Sequence, residues 1–282
     1  MQERTISAAL VSRYLGRPME RVEDAALLRG EGRFIDDVAV PAGTLHASFL
    51  RSPIAHGRIR SIDATKALEL PGVTAIVTGA DITRLTRPFT VGVKASMQHW
   101  ALAVDRVRYV GEPVAIVCAD SAYIAEDAAA LVDVDYDALP AVVDPEEAAH
   151  ADAPILHSEV GSNIVSDRSF RYGDPASAMN DAERIIEIKI RYPRNSVTPI
   201  ECFGVIASYA PSDGVYEVTT HFQGPYALHP VMALALQVPG HKLRIRTPPD
   251  SGGSFGTKQA VFPYVVDRKS TRLNSSHRTG SR

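Results

Sequence analysis

The sequence predicts a mixed α/β (α+β) protein built in two blocks, on three observations. Short runs rich in β-branched and aromatic residues are punctuated by Pro and Gly from Leu45 onward, one long segment after Asp120 carries helical periodicity, and a Pro-, Ala- and acid-rich stretch from Pro145 to Ser162 interrupts both patterns. A chain of 282 residues with 45% hydrophobic content suits about two domains at the usual ~100–200 residues each.

In the first block, "LHASFLRS" from Leu45 and "VTAIVTG" from Val73 read as strands, with "DATKALEL" between them as a helix. "YVGEPVAIVCAD" is a buried strand running into Asp120. "SAYIAEDAAALV" then places Ile124, Ala128 and Leu131 on one helical face, with Asp120 or Ser121 as N-cap. "VDVDYDALPAVVD" follows as a strand, its acidic alternation facing solvent rather than a divalent ion.

The second block opens with "GDPASAMNDAE", where Asp174 caps and Pro175 takes the first helical position. "RIIEIKIRY" reads as a partly alternating strand, and "VIASYA" and "GVYEVTTHFQ" flank the turn "PSDG" as a hairpin. A helix starts at Pro225, its first turn unsettled by the interior Pro230, and "HKLRIRT" is the last strand.

Net charge is -3, which favours neither a nucleic acid nor an anionic membrane as partner. No run approaches the ~20 apolar residues of a membrane span, and the N-terminus lacks the apolar core of a signal peptide, so the cytoplasm is the expected compartment. The two cysteines, Cys118 and Cys202, sit singly inside apolar runs and read as buried thiols, neither a disulfide framework nor a metal site. Nine histidines lack metal-ligand spacing; His221 and His229 read as surface or packing residues, and Trp100 as a packing anchor.

Two loops carry the chemistry. "HFQGP" ends a strand and starts a helix, which puts Gln223 beside unpaired N-terminal N–H groups. "PPDSGGSFGTKQ", from Pro248 to Gln259, follows another strand. Its glycines suit close backbone approach, but Thr257 separates Gly256 from Lys258, so the P-loop pattern fails, and the dinucleotide fingerprint fails on spacing. From spacing alone the pair is either a clamp on a large polar cofactor or two unrelated connecting turns.

At these residues the chain resembles the large, molybdopterin-binding subunit of the xanthine dehydrogenase, aldehyde oxidase and carbon monoxide dehydrogenase family. The likeness runs from Gly16 to Val266 and rests on "GRFIDDV" (Gly32 to Val38), "LHASFLRSPIAHGRIRSID" (Leu45 to Asp63), "VRYVGEPVA" (Val107 to Ala115), "TPIECFGVIASY" (Thr198 to Tyr209), "FQGP" (Phe222 to Pro225) and "GGSFGTK" (Gly252 to Lys258). It implies an N-terminal tail (1–15), an α/β hammerhead domain (16–145), a linker (146–162) and the start of a molybdopterin-binding domain (163–266). The implied cofactor is molybdenum on a molybdopterin, often carried in bacterial members as the cytosine dinucleotide. Gln223 would approach the apical oxo group, with Gly224, Gly253, Ser254, Phe255 and Gly256 as further cofactor-binding residues. An amide NH₂ is a neutral donor and brings no competing charge to such a group.

The commoner family loop reads G-G-G-F-G-G-K; Ser254 and Thr257 here replace glycines, which would be strained wherever φ is positive. The implied reaction is hydroxylation of an aldehyde, an N-heterocycle or carbon monoxide with oxygen from water. Electrons leave through iron–sulfur and FAD centres on small and medium partner subunits, in a dimer of heterotrimers. The family's glutamate base lies farther along the polypeptide, so no catalytic or metal-ligating residue is assigned, and Glu201 reads as a structural carboxylate. The alternative is a non-catalytic folding or interaction module. The basic run "DRKSTRLNSSHRTGSR" (267–282) looks like a translated sequencing adapter and is set aside as non-native, leaving "AVFPYVV" before it as exposed apolar surface.

Overall fold

The computed structural model describes residues 16–89, 97–192, 198–259 and 277–280. The "AVFPYVV" segment and the apolar surface expected there lie outside them. In the first block, strands β1 (Leu45–Arg51), β3 (Val73–Thr78) and β5 (Pro113–Ala119) form one sheet in which β5 pairs antiparallel with both neighbours. Every residue of β5 is buried, as its unbroken apolar run requires when sheet neighbours lie on either side and a helix packs across it. That helix, α4 (Ala122–Leu131), is capped by Ser121, whose Oγ accepts from Ile124 N at 3.2 Å. Its buried face is Ala125, Ala128 and Ala129, while Leu131 is exposed. The face therefore turns away from the expected Ile124–Ala128–Leu131 stripe, because alanines let the helix sit close to the sheet and its neighbour α2 (Thr65–Leu68).

A second, smaller sheet joins β2 (Gly57–Asp63) to β4 (Arg106–Val107) and β6 (Asp133–Ala138). On β6, Val134 and Tyr136 pack inward and Asp133 and Asp135 face water; Asp137 pairs with Arg60 at 3.3 Å. Helices α1 (Asp24–Leu28) and α3 (Gly79–Leu85) complete the block.

In the second block, α5 (Pro175–Asn180) starts as expected, with Asp174 accepting from Ser177 N at 3.4 Å, yet buries nothing. The expected strand 184–192 is not formed. Ile186, Ile188 and Ile190 are 81%, 71% and 83% exposed, and two of the segment's charged side chains pair with carboxylates near the domain boundary, Lys189 with Glu146 and Arg191 with Asp144. The hairpin does form, from β7 (Gly204–Ala210) and β8 (Val215–Thr220), with Gly214 at φ +67 in its turn. Helix α6 (Pro225–Leu236) then crosses over to β9 (Leu243–Arg246), which lies parallel to β8. Pro230 is accommodated inside α6, whose buried residues Leu228, Met232, Ala235 and Leu236 join Leu45, Ile116, Val205 and Val218 in one core. The backbone bond from Arg87 N to Ala235 O at 2.8 Å ties the blocks together again. A short strand, β10 (His277–Gly280), pairs parallel with β1 and antiparallel with β7, bridging the two blocks in a sheet of order β3-β5-β1-β10-β7-β8-β9. Cys118 is buried, but Cys202 is exposed: it precedes β7 rather than lying in it.

Candidate functional site

The β8–α6–β9 crossover explains why the two glycine loops meet. In a parallel pair, the loops that leave the C-terminal ends of neighbouring strands emerge at the same edge, where ligands of open α/β sheets bind. The segment 221–224 leaves β8 and the segment 247–258 leaves β9.

Their contact is direct. Gln223 Oε1 accepts from Ser254 Oγ at 2.8 Å and from Gly256 N at 2.9 Å, and Gln223 N donates to Lys258 O at 3.1 Å. With the amide oxygen engaged by the loop, the NH₂ is the end of Gln223 that can donate to a ligand. Gly224 caps α6 at φ +92, a conformation that favours glycine, and a Cβ there or at Gly256 would meet open space. Gln223, Phe255 and Gly256 are exposed, Phe255 by 73%.

The two departures from the commoner glycine pattern are resolved by backbone geometry. Positive φ falls on Gly253 (+99), Phe255 (+50) and Gly256 (+88), and neither Ser254 nor Thr257 adopts it. A hydroxyl at 254 is therefore accommodated without strain, and it accepts from Lys258 N at 3.3 Å besides donating to Gln223. The strain lies on Phe255, where a left-handed non-glycine residue costs roughly 1–2 kcal/mol.

Beneath the loop lies a charged cluster that sequence reasoning grasped only as a structural carboxylate. Glu201 Oε1 accepts from Ile35 N at 3.1 Å; Oε2 accepts from Gly252 N at 2.7 Å and from Lys258 Nζ at 3.0 Å. The Lys258 side chain is 1% exposed, so its charge is spent on Glu201 and not offered at the surface as a P-loop lysine would be. Gly252 permits the approach, since a Cβ there would stand 2.3 Å from Glu201 Cβ. His221, also buried, donates from Nε2 to Cys202 O at 2.8 Å and stands 3.5 Å from Glu201 Oε2; its Nδ1 has no hydrogen-bond partner among the described residues. Burial pushes the Glu201 carboxyl up, but the donors from Gly252, Lys258 and Ile35 outweigh it and hold the group below its ordinary range. Burial lowers His221, against the opposing pull of the Cys202 carbonyl and Glu201, and favours the neutral ring.

A further tie anchors the loop's start: Arg33 N donates to Asp250 Oδ2 at 2.7 Å, and Asp250 N returns a bond to Arg33 O at 3.1 Å. The run "GRFIDDV" thus supports the loop from the far end of the sequence. His229 Nε2 donates to Leu243 O at 2.9 Å and is a packing residue; Trp100 packs against the core and also lines a cavity of about 700 Å³ with His99, His157 and Glu159, which shares no residue with the two loops. Among the described residues no group of His, Cys, Asp and Glu could hold a metal ion, and no helix is long and apolar enough to cross a membrane. The two loops themselves offer hydrogen-bond and backbone contacts to a large polar group. The edge suits such a group: its donors are neutral, its glycines leave the backbone unobstructed, and the nearby carboxylate is sequestered.

Residues 29–140 match the family described as "Aldehyde oxidase and xanthine dehydrogenase, a/b hammerhead domain", and residues 156–267 match the "Molybdopterin cofactor-binding domain". The chain is 36% identical over 262 residues to the carbon monoxide dehydrogenase large chain of Hydrogenophaga pseudoflava, covering 86% of this chain and 32% of that one. It is 32% identical over 292 residues to the nicotine 6-hydroxylase large subunit of Paenarthrobacter nicotinovorans, covering 96% of this chain and 35% of the relative. The crystal structure of quinoline 2-oxidoreductase from Pseudomonas putida 86 superposes with a TM-score of 0.86 at 33% identity, over 95% of this chain and 34% of that one. The chain thus spans about a third of the length of these relatives. With its hammerhead domain, its cofactor-binding domain and the two loops joined at Gln223, the chain belongs to the molybdopterin-binding large subunits of the xanthine dehydrogenase, aldehyde oxidase and carbon monoxide dehydrogenase family.

Proposed function

We propose that this chain supplies one edge of the molybdopterin site of a molybdenum hydroxylase, whose whole polypeptide oxidises an aldehyde, an N-heterocycle or carbon monoxide with oxygen from water. The observation that carries the reading is the junction of Gln223 with Ser254 and Gly256, which turns two separate loops into one neutral, backbone-rich edge. Gln223, Gly224, Gly253, Ser254, Phe255 and Gly256 hold the cofactor there, carried as the cytosine dinucleotide. The bound molybdenum centre supplies the two-electron redox chemistry.

The protein's own part is positioning. The Gln223 NH₂ donates to an oxygen on the cofactor, and the engaged Oε1 prevents the amide from flipping. Backbone groups of the 253–256 turn fix orientation without adding charge, and the sequestered Glu201 stays out of competition with the anionic cofactor. The catalytic base belongs to the remaining part of the polypeptide. Electrons leave to an iron–sulfur small subunit and an FAD medium subunit, in a dimer of heterotrimers working in the cytoplasm. We read the run from Asp267 as a non-native addition even though its residues 277–280 pair with β1 and β7, because the cofactor-domain match ends at 267.

The test begins with sequencing the source DNA across the codon for Val266, and continues with expression of the uninterrupted reading frame beside its partner subunits. Co-purifying molybdenum and a releasable pterin nucleotide, with turnover of at least one of the three substrate classes, is the expected result. An encoded stop near Val266, or a full-length product free of pterin, overturns the proposal in favour of a non-catalytic module.

A further inference from the structure

Both ends of the Gly252–Lys258 loop close on a single oxygen atom, Glu201 Oε2, through the Gly252 amide at 2.7 Å and the Lys258 ammonium at 3.0 Å. The other oxygen holds Ile35 N, at the start of a single turn of helix (Ile35–Asp37) in the first block. The middle of the loop is held separately, on Gln223 Oε1. One carboxylate thus sets the width of the loop's base and its height above the first block, while Gln223 reads the position of the loop's tip.

We infer that Glu201 and Lys258 are positioning residues of this site: their buried pair holds the register in which Ser254 Oγ and Gly256 N reach the Gln223 amide. The inference rests on the reading of these loops as the molybdopterin edge. Its physical basis is the cost of leaving either charge alone. The Lys258 and Glu201 side chains are 1% and 10% exposed, so neither can be re-solvated without opening the loop. In the intact site the His221 ring does not share the role of Lys258, since its Nε2 hydrogen is used by the Cys202 carbonyl. The lysine therefore acts through Glu201 and not by touching the cofactor's phosphates, the role that a lysine beside a glycine loop would otherwise suggest.

The experiment is a double-mutant cycle of Glu201→Gln, Lys258→Met and the two together, read first as amide hydrogen exchange of residues 252–258 in the full chain without cofactor. Each single variant is expected to speed exchange of the Gly252, Gly256 and Lys258 amides by at least about tenfold. The double variant, which leaves no lone charge, returns toward the wild-type rate, and this coupling separates a paired role from loss of folding. Lys258→Arg, which keeps the charge, is expected to rescue in part and guards against a Met variant that simply fails to fold. The same variants in the full-length enzyme, read as bound pterin nucleotide, should show the same non-additive pattern. Single variants whose loop amides exchange at the wild-type rate overturn the inference. Strictly additive loss of pterin, with Lys258→Met causing most of it, overturns it too, since that marks direct cofactor contact. Coupling in the exchange data with no pterin in the wild-type enzyme leaves the clamp standing and sinks the cofactor reading instead.

Discussion

Strand β5, "PVAIVCA", and the segment 184–192, "RIIEIKIRY", both read as strands in the sequence, yet one is wholly buried and the other, which carries four charged residues, lies open to solvent. The difference is in their neighbours. β5 has β1 and β3 on its two sides and packs against α4, whereas 184–192 has no sheet partner among the described residues and makes ion pairs to Asp144 and Glu146. Strand preference is a statement about a pleated, half-buried setting, and the same isoleucines express it only where that setting exists. The first block buries its strands, partly in the core it shares with α6, whereas the arm from 163 to 192 exposes its isoleucines.

The sharpest way to break this contrast is a cavity. Ile116→Ala, at a fully buried site in β5, should cost about 2–5 kcal/mol and lower the midpoint of denaturant unfolding without changing its slope. A loss under about 1 kcal/mol would mean that the β5 core is far looser than its burial shows.

Acid should act on the second block next. Glu201 titrates below its ordinary value of 4.5 in the fold, so its contribution is present above that value and is lost as pH falls through the lower, folded value. His221 is also lowered, from 6.5; the unfolded ring binds a proton more readily than the folded one, so stability again declines as pH drops below about 6.5. Both groups therefore destabilise the loop cluster in the same direction. Hydrogen exchange at pH 7, at pH 5, where His221 alone contributes, and at pH 4, where Glu201 joins it, should show 252–258 loosening before β5, and the reverse order would contradict the assignment.

A smaller effect is expected at a helix end. Ser121→Ala removes the cap on Ile124 N and should cost about 1 kcal/mol by thermal or chemical unfolding. The smallest is Ile188→Ser, expected to stay within about 0.5 kcal/mol in stability while reducing self-association measured by light scattering. A large loss there would reveal a partner for the arm within this chain.

Much of the architecture is legible from residues alone. Continuous apolar runs mark β5 and β7, Ser121 and Asp174 mark helix starts, and "PSDG" marks the hairpin, because each signal is local. What escapes is set by distant neighbours. β2 carries charges at Arg58 and Arg60 that hide its strand character until Asp137 on β6 comes alongside. Cys202 sits in an apolar run but falls just before a strand and is exposed. At the site, Gln223 and the glycine loop are visible as separate motifs, and the crossover through α6 is what places them at one edge. The clamp beneath them spans Ile35, Glu201, Gly252 and Lys258, and no local pattern links those positions. The apparent conflict at Ser254 and Thr257 dissolves for a related reason: their φ angles are decided by the loop's anchors, not by the glycine count.

That Gln223 and the 252–258 loop form one edge of a molybdopterin site is tested most directly by anomalous diffraction at the molybdenum absorption edge from crystals of the full-length enzyme. The expected result is a molybdenum peak with one of its oxygen ligands in hydrogen-bonding reach of the Gln223 amide. A peak whose surroundings include neither 222–225 nor 252–258 would contradict it.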